Sequence, residues 1–232
     1  SRLEGQGDHA WVVTDDDTAL RRINIATGQV LATVTPSVTP AGGRWSDIQC
    51  MRIDEEDLLC VLDGRDTAFN RGSYGFAYTR EETPTTGWQS VAFTFADGRS
   101  RTCSGIAWDP NLGGWIIVAR RPATGSEGDV SIWRLRLAGG VAEPDNDRTV
   151  LDVDFAEGVD ILEDGRLMVI TRVDGTVEAY AYAKGGYWGS PRTQFTLPSG
   201  TSVACFTRHR RFDDSLRLVM VGDGASFYEV EI

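Results

Sequence analysis

The sequence predicts an all-β fold built from a repeated unit of short antiparallel strands. Segments rich in β-branched and aromatic residues are short and bounded by Gly, Pro, Asp and Asn, and no helical period of apolar residues is sustained. One strand-like segment recurs five times at steps of about 50 residues, which indicates an internal repeat. The chain has 232 residues, of which 41% are hydrophobic and 25% charged, so it can bury a sizeable core.

The recurring segment is the central strand of each unit, and its copies are 11–15, 59–63, 116–120, 168–172 and 219–223. An inner strand that opens with a small or acidic residue precedes it at 46–48, 104–106, 157–159 and 201–203. A third strand is predicted at 20–25, 74–78, 130–135, 177–182 and 227–230, and a fourth at 30–34, 91–95, 149–153 and 193–197. Asp-Gly pairs such as Asp97-Gly98 suit the tight turns between these strands.

Four antiparallel strands per unit, repeated radially, form a β-propeller, in which neighbouring blades bury both faces of each sheet. At about 46 residues per unit, we predict one domain of five four-stranded blades with ragged closure at the termini. The predicted blades are approximately 1–36, 46–97, 101–153, 156–198 and 200–232 of the single domain 1–232. A β-sandwich or a jelly roll is the β-rich alternative, but neither predicts a fivefold repeat.

Two kinds of stretch resemble known propeller repeats. The strings SGIAWDP at 104–110 and EGVDILEDGRL at 157–167 resemble the inner strand and hairpin of NHL-like and YVTN-like repeats. Residues 19–34, with the core INIATGQVL, resemble the third and fourth strands of the YVTN type. The resemblance implies a propeller fold and no particular activity, since many functions share such folds.

Charge and hydropathy disfavour several classes of partner. The formal net charge of −11 opposes binding to nucleic acid or to an anionic membrane, because affinity there comes from positive charge. No apolar run reaches the roughly 20 residues that span a bilayer, so we expect no membrane insertion. The chain begins at Ser1, and we expect any signal peptide or neighbouring domain to lie outside this sequence, as part of a larger chain or assembly. An extracytoplasmic or surface location is slightly favoured.

The sequence carries no complete catalytic or metal-binding motif. His9 and His209 are the two histidines, and the four cysteines are too scattered for a zinc cluster, so no metal and no cofactor are predicted. Buried thiols are expected, and the turn register decides whether Cys50 and Cys60 face the same side of a hairpin.

Equivalent positions of the repeat converge near one mouth of the predicted central channel. Charged residues end the central strands and begin the inner strands, and Trp45 could add an aromatic platform. The candidate ligand-binding residues are Asp15, Trp45, Asp47, Asp63, Arg120, Glu157, Arg172 and Asp223. The simpler interpretation is a network in which Arg120 and Arg172 pair with acidic neighbours and tie the blades together.

A second candidate is the one basic cluster of this acidic chain. Arg208, Arg210 and Arg211 could bind an anion or an acidic partner by bidentate hydrogen bonds, although a surface hairpin is the simpler interpretation.

Two functions follow from these patterns. The first is a noncatalytic recognition or assembly module that binds a protein or glycan through a propeller face or the edge of the closing blade. The alternative is a glycan-active hydrolase or lyase that uses a pair of carboxylates from the channel mouth. Two carboxyl groups facing each other across an open pocket would favour the enzyme.

Overall fold

Among the residues that it describes, the computed structural model of the chain contains eighteen β-strands and no helix. Side chains are described for residues 9–13, 18–24, 26–40, 45–63, 74–110, 113–119, 131–136, 139–144 and 159. The backbone alone is described at 120, 130, 155–158, 160–161, 167–173, 176–182, 193–196, 203–210, 216–222 and 227–231. The all-β prediction is confirmed. In this part of the chain no helix is long and apolar enough to cross a bilayer.

The described strands fall into five consecutive groups, here called the first to fifth meanders. The first contains β1 (His9–Val13), β2 (Leu20–Asn24) and β3 (Val30–Val34). The second contains β4 (Asp47–Ile53), β5 (Glu56–Asp63), β6 (Tyr74–Arg80) and β7 (Gln89–Phe95). The third contains β8 (Thr102–Asp109), β9 (Gly114–Arg120), β10 (Val130–Arg136) and β11 (Gly140–Pro144).

The fourth meander contains β12 (Phe155–Ile161), β13 (Leu167–Val173), β14 (Thr176–Tyr182) and β15 (Thr193–Thr196), and the fifth contains β16 (Val203–Arg210), β17 (Leu216–Gly222) and β18 (Phe227–Glu231). Each strand pairs antiparallel with the next one in its meander. This order is the one that the repeat predicts.

Most predicted strands lie within a few residues of the observed ones, and β3 coincides with the predicted 30–34. The fourth strand of the third unit differs. It is β11 at Gly140–Pro144, whereas the sequence predicts it at 149–153, which lies outside the described residues. The reason is local, because Gly139 and Gly140 both have positive φ and turn the chain back directly after β10.

The second meander buries both of its faces, which is why β5 is apolar without alternation. Leu59 and Val61 pack with Trp11 and Leu20 in a core against the first meander. Cys60 and Leu62 point the other way, into a larger aromatic-rich core shared with the third meander. A strand covered on both sides loses the alternation of polar and apolar residues that marks a half-exposed sheet.

The first strands of four meanders contact one another in a closed cycle. Strand β4 contacts β8, β8 contacts β12, β12 contacts β16, and β16 contacts β4, while β1 also contacts β4. These contacts bring the inner-strand positions of the repeat together at one place.

The second and third meanders are also joined along their last strands. Strand β11 pairs parallel with β7, with Gly140 opposite Phe93, so the eight strands form one hydrogen-bonded sheet. Gly139 leads into this joint at a φ of 78°. A Cβ atom there would overlap Cγ1 of Val91 and lie 3.0 Å from the carbonyl oxygen of Ala92. The joint therefore requires glycine for both conformation and space.

We predict that Gly139→Ala destabilises the protein by about 1–3 kcal/mol more than Gly98→Ala, the typical cost of overpacking. Gly98 is the matched control, since its φ of 66° also disfavours a side chain while its Cβ position is open space. Urea unfolding of both variants measures the difference. If both variants lost the same free energy of unfolding, the close approach of Gly139 to β7 would not be a tight contact.

Candidate functional site

The inner strands differ in register in a way that the sequence does not reveal. Strands β8, β12 and β16 each contain a β-bulge, which leaves Ser104, Glu157 and Ala204 without a partner residue. Strand β4 pairs regularly, with Asp47 opposite Leu62. A bulge bends the strand and re-aims its side chains, so equivalent sequence positions are not equivalent in space.

One aligned position is affected directly. The predicted inner strands begin at 104, 157 and 201, which puts Thr201 in register with Ser104 and Glu157, but the bulged residue of β16 is Ala204. Thr201 itself lies outside the described residues. The bulge position of the fifth meander thus carries no polar side chain.

Asp47 is a buried carboxylate with both oxygens occupied. Its exposure is 1%. Its Oδ1 accepts a hydrogen bond from the Ile48 amide at 2.8 Å, and its Oδ2 accepts one from the Ile106 amide at 2.9 Å. Strand β8 is at the end of its sheet, so amides on its outer side lack a strand partner. Asp47 supplies that partner and ties β4 to β8.

Gln49 repeats this role two residues later on the same face of β4. It is 3% exposed, and its Nε2 donates a hydrogen bond to the carbonyl oxygen of Val159 on β12 at 3.1 Å. Sequence analysis did not single out Gln49. The available signal was its spacing of two from Asp47, which places both side chains on one face of the strand.

The other two candidates with described side chains are also buried. Asp63 ends β5 with 5% exposure. Trp45 is 3% exposed, packs with Leu20 and Ile48, and its Nε1 donates to the carbonyl oxygen of Thr18 at 3.2 Å. Its ring is therefore part of the core against the first meander, and no open aromatic platform is formed by Trp45. A role in ligand binding remains a prediction for both residues.

For the remaining candidates the structure gives a backbone position or none. Arg120 ends β9 opposite Thr102, and Arg172 in β13 lies opposite Phe155. Only the backbone is described at Arg120, Glu157, Arg172, Arg208 and Arg210, while Asp15, Asp223 and Arg211 lie outside the described residues. The proposed pairing of the arginines with acidic neighbours therefore stays a prediction.

Arg101 is a buried charge that the sequence did not mark. It is 2% exposed, and its guanidinium stacks between two rings, 4.8 Å from the centroid of Phe95 and 4.2 Å from that of Trp133. Its two terminal nitrogens donate to the two carboxylate oxygens of Asp97, each at 2.7 Å. A delocalised cation paired bidentately and stacked on aromatic faces can be buried where an ammonium could not. Arg101 thereby joins β7 to β10.

This pair sets the protonation of Asp97. The hydrogen bonds from Arg101 hold the pKa of the Asp97 carboxyl below its ordinary value of 3.8, against a smaller opposing effect of burial. Because the folded pKa is the lower one, the unfolded chain takes up this proton first. The pair therefore contributes its stability above the ordinary pKa and loses it as the pH falls through the folded pKa.

The described cysteines are free thiols. Cys60 and Cys103 are buried as expected, whereas Cys50 is exposed. Cys60 lies opposite Gln49, and Cys50 opposite Leu59, so the two thiols face opposite sides of the hairpin and cannot form a disulfide. Burial, and then the charge of Asp47, raises the pKa of Cys60, which keeps it protonated and unreactive. In the described part of the chain no three His, Cys, Asp or Glu residues are grouped to hold a metal ion.

Solved structures similar to this chain are propeller-like, at low sequence identity. The periplasmic gluconolactonase PpgL of Pseudomonas aeruginosa matches with a TM-score of 0.50 and 12% identity, over 97% of this chain and 78% of that one. A gluconolactonase of Xanthomonas campestris matches with a TM-score of 0.48 and 13% identity, over 93% and 66%. A structure of the Dos1 propeller matches with a TM-score of 0.43 and 13% identity, over 96% and 54%.

The class that these observations define is an all-β protein with structural similarity to β-propellers. No protein-family model and no curated protein matches the chain. Identities this low show a common fold and carry no activity to this chain. The finer resemblance to NHL-like and YVTN-like repeats remains a prediction.

We predict that Asp47→Asn destabilises the protein by about 1–3 kcal/mol, because either orientation of the amide turns an N–H group toward a backbone N–H. Asp54→Asn is the matched control. Asp54 is exposed and has a φ of 49°, which asparagine tolerates well, so its effect should stay within about 0.5 kcal/mol. Chemical denaturation measures both. If Asp47→Asn left the free energy of unfolding unchanged, the carboxylate would not tie the inner strands.

A second prediction concerns the arginine between the rings. Arg101→Lys keeps the charge but loses the bidentate geometry, and we expect a loss of about 1.5–3 kcal/mol at neutral pH. Since Asp97 is protonated in strong acid, the difference from wild type should shrink below the ordinary pKa of 3.8. Arg99→Lys, at an exposed position whose backbone amide also bonds Asp97, is the control. A stability difference between Arg101→Lys and the wild type that does not change with pH would contradict the pairing of Arg101 with Asp97.

Proposed function

We propose that this protein is a noncatalytic recognition module that binds an extended segment of a protein partner along the edge of the first meander. The observation that carries this proposal is the state of β3. It pairs with β2 on one side, and none of the other described strands pairs with its second side. An unpaired strand edge presents a row of backbone donors and acceptors to another chain.

The side chains of β3 fit the same role. Val30 and Leu31 are 48% and 45% exposed, and a β-bulge at Leu31 interrupts the pairing of β3 with β2. The strand contains no charged residue and no proline, two of the features that protect an edge from pairing. Backbone hydrogen bonds would then supply affinity, and the exposed apolar side chains would favour an apolar, strand-forming segment.

The buried carboxylates support the noncatalytic interpretation. A glycan-active hydrolase needs two carboxyl groups free to exchange protons with a substrate. Both oxygens of Asp47 accept backbone hydrogen bonds, and Asp63 is 5% exposed. The enzyme alternative would therefore depend on Asp15, Glu157 and Asp223, whose side chains lie outside the described residues.

Within this proposal the five meanders are the blades of a five-bladed propeller. The closed cycle of contacts among β4, β8, β12 and β16 supports a radial arrangement, with the first meander attached through β1 and β4. In such a ring the inner strands form the rigid scaffold and the outer strands are available to partners.

We predict that the double variant Val30→Lys, Leu31→Lys loses binding to immobilised strand-forming peptides by about tenfold or more, since charges on an edge strand block pairing. Val141→Lys is the matched control. Val141 is 53% exposed, but its strand β11 is paired on both sides, so the same chemical change leaves no free edge altered.

The peptide array is probed in parallel with a glycan array. If the double variant loses peptide binding and the control variant retains it, the result supports recognition at β3. An equal loss of peptide binding in both variants, or binding to glycans alone, would contradict this proposal.

A further inference from the structure

A buried histidine joins the first and second meanders at a place distinct from β3 and from Asp47. The His9 side chain on β1 is 6% exposed. Its Nε2 lies 3.5 Å from Oε1 of Glu81, in the turn after β6, and its Nδ1 lies 3.2 Å from a terminal nitrogen of Arg22 on β2. Trp11 on β1 also donates its Nε1 hydrogen to Oε1 of Glu81, at 3.2 Å.

These contacts determine where the imidazole carries its proton. A guanidinium has only donors, so the contact with Arg22 is a hydrogen bond only if Nδ1 of His9 is an unprotonated acceptor. The single proton of the neutral ring is then on Nε2, from which it is directed at the Glu81 carboxylate. His9 in this arrangement is neutral, and the charges of Arg22 and Glu81 balance each other.

We propose that His9 is a pH-sensitive tie, whose neutral form bridges Arg22 and Glu81 and whose protonation at Nδ1 releases Arg22 and loosens β2 from β1 within the first meander. The added proton comes from solvent and binds the Nδ1 lone pair, the atom that accepts from Arg22. Two donors of like charge would then face each other across 3.2 Å, so Arg22 must move away. The contact with Glu81 is retained, because that carboxylate still accepts from Nε2.

Two charged groups face His9. Arg22 contacts the ring from β2, and Glu81 contacts it from the turn after β6. Burial acts to raise the pKa of Glu81, but the hydrogen bonds from His9 and Trp11 and the charge of Arg22 lower it below its ordinary value of 4.5. Cys50 on β4 lies within electrostatic range of Glu81 and Arg22.

The first experiment reads the tautomer. Long-range proton–nitrogen correlation spectra of the histidine-labelled protein at about pH 7.5 should show His9 in the Nε2–H form. His209→Gln removes the other histidine and assigns the signal. A His9 ring protonated on Nδ1 at this pH would overturn the proposal.

The second experiment measures loosening. Amide hydrogen exchange of β1 and β2, corrected for intrinsic rates and compared with β5 and β6, should speed up by about tenfold between about pH 7.5 and about pH 5.5. His9→Gln can accept from Arg22 and donate to Glu81 without titrating, so it should abolish this dependence, whereas His209→Gln should retain it. The same acceleration in His9→Gln, or none in the wild type, would overturn the proposal. The tautomer measurement stands even if His9→Gln fails to fold.

Discussion

The structure depends on how the open edges of its inner strands are satisfied. Each described sheet ends at a first strand that pairs with no other described strand on its outer side, and β4, β8, β12 and β16 contact one another. Water satisfies the backbone groups of such an edge at a surface, but Asp47, Gln49, Ile106 and Val159 are buried here. Asp47 and Gln49 provide the missing acceptor and donor, the first for an amide of β8 and the second for a carbonyl of β12. Two side chains on one face of one strand thus connect three meanders.

This arrangement bears on how the buried carboxylate of Asp47 is interpreted. A buried carboxylate often indicates catalysis, because its environment can shift its pKa toward neutrality. Asp47 is instead held by two backbone hydrogen bonds, one to each of its oxygens, and is 1% exposed. In the proposed function, recognition lies instead at the edge strand β3, where backbone groups and the apolar side chains of Val30 and Leu31 are exposed together.

The second meander is held to its neighbours in several ways. Apolar packing covers both of its faces, and polar side chains also contact the first and third meanders. Toward the third meander, the cation of Arg101 lies between aromatic rings and is neutralised by Asp97. Toward the first, Glu81 in the turn after β6 contacts His9 and Trp11 of β1.

The sequence by itself determined the strands, their order and the apolar core. These features depend on residues that are close in the sequence: the alternation along a strand, the turn residues and the recurrence of the 59–63 pattern. Such local patterns can be read from the amino-acid sequence alone. It also placed Asp47 among the inner-strand positions. Only the tertiary structure decided the bulges at Ser104 and Glu157 and the partners of Gln49 and Arg101. Those features depend on strands far apart in the chain, and a one-residue shift in register redirects a side chain without changing the pattern that predicted the strand.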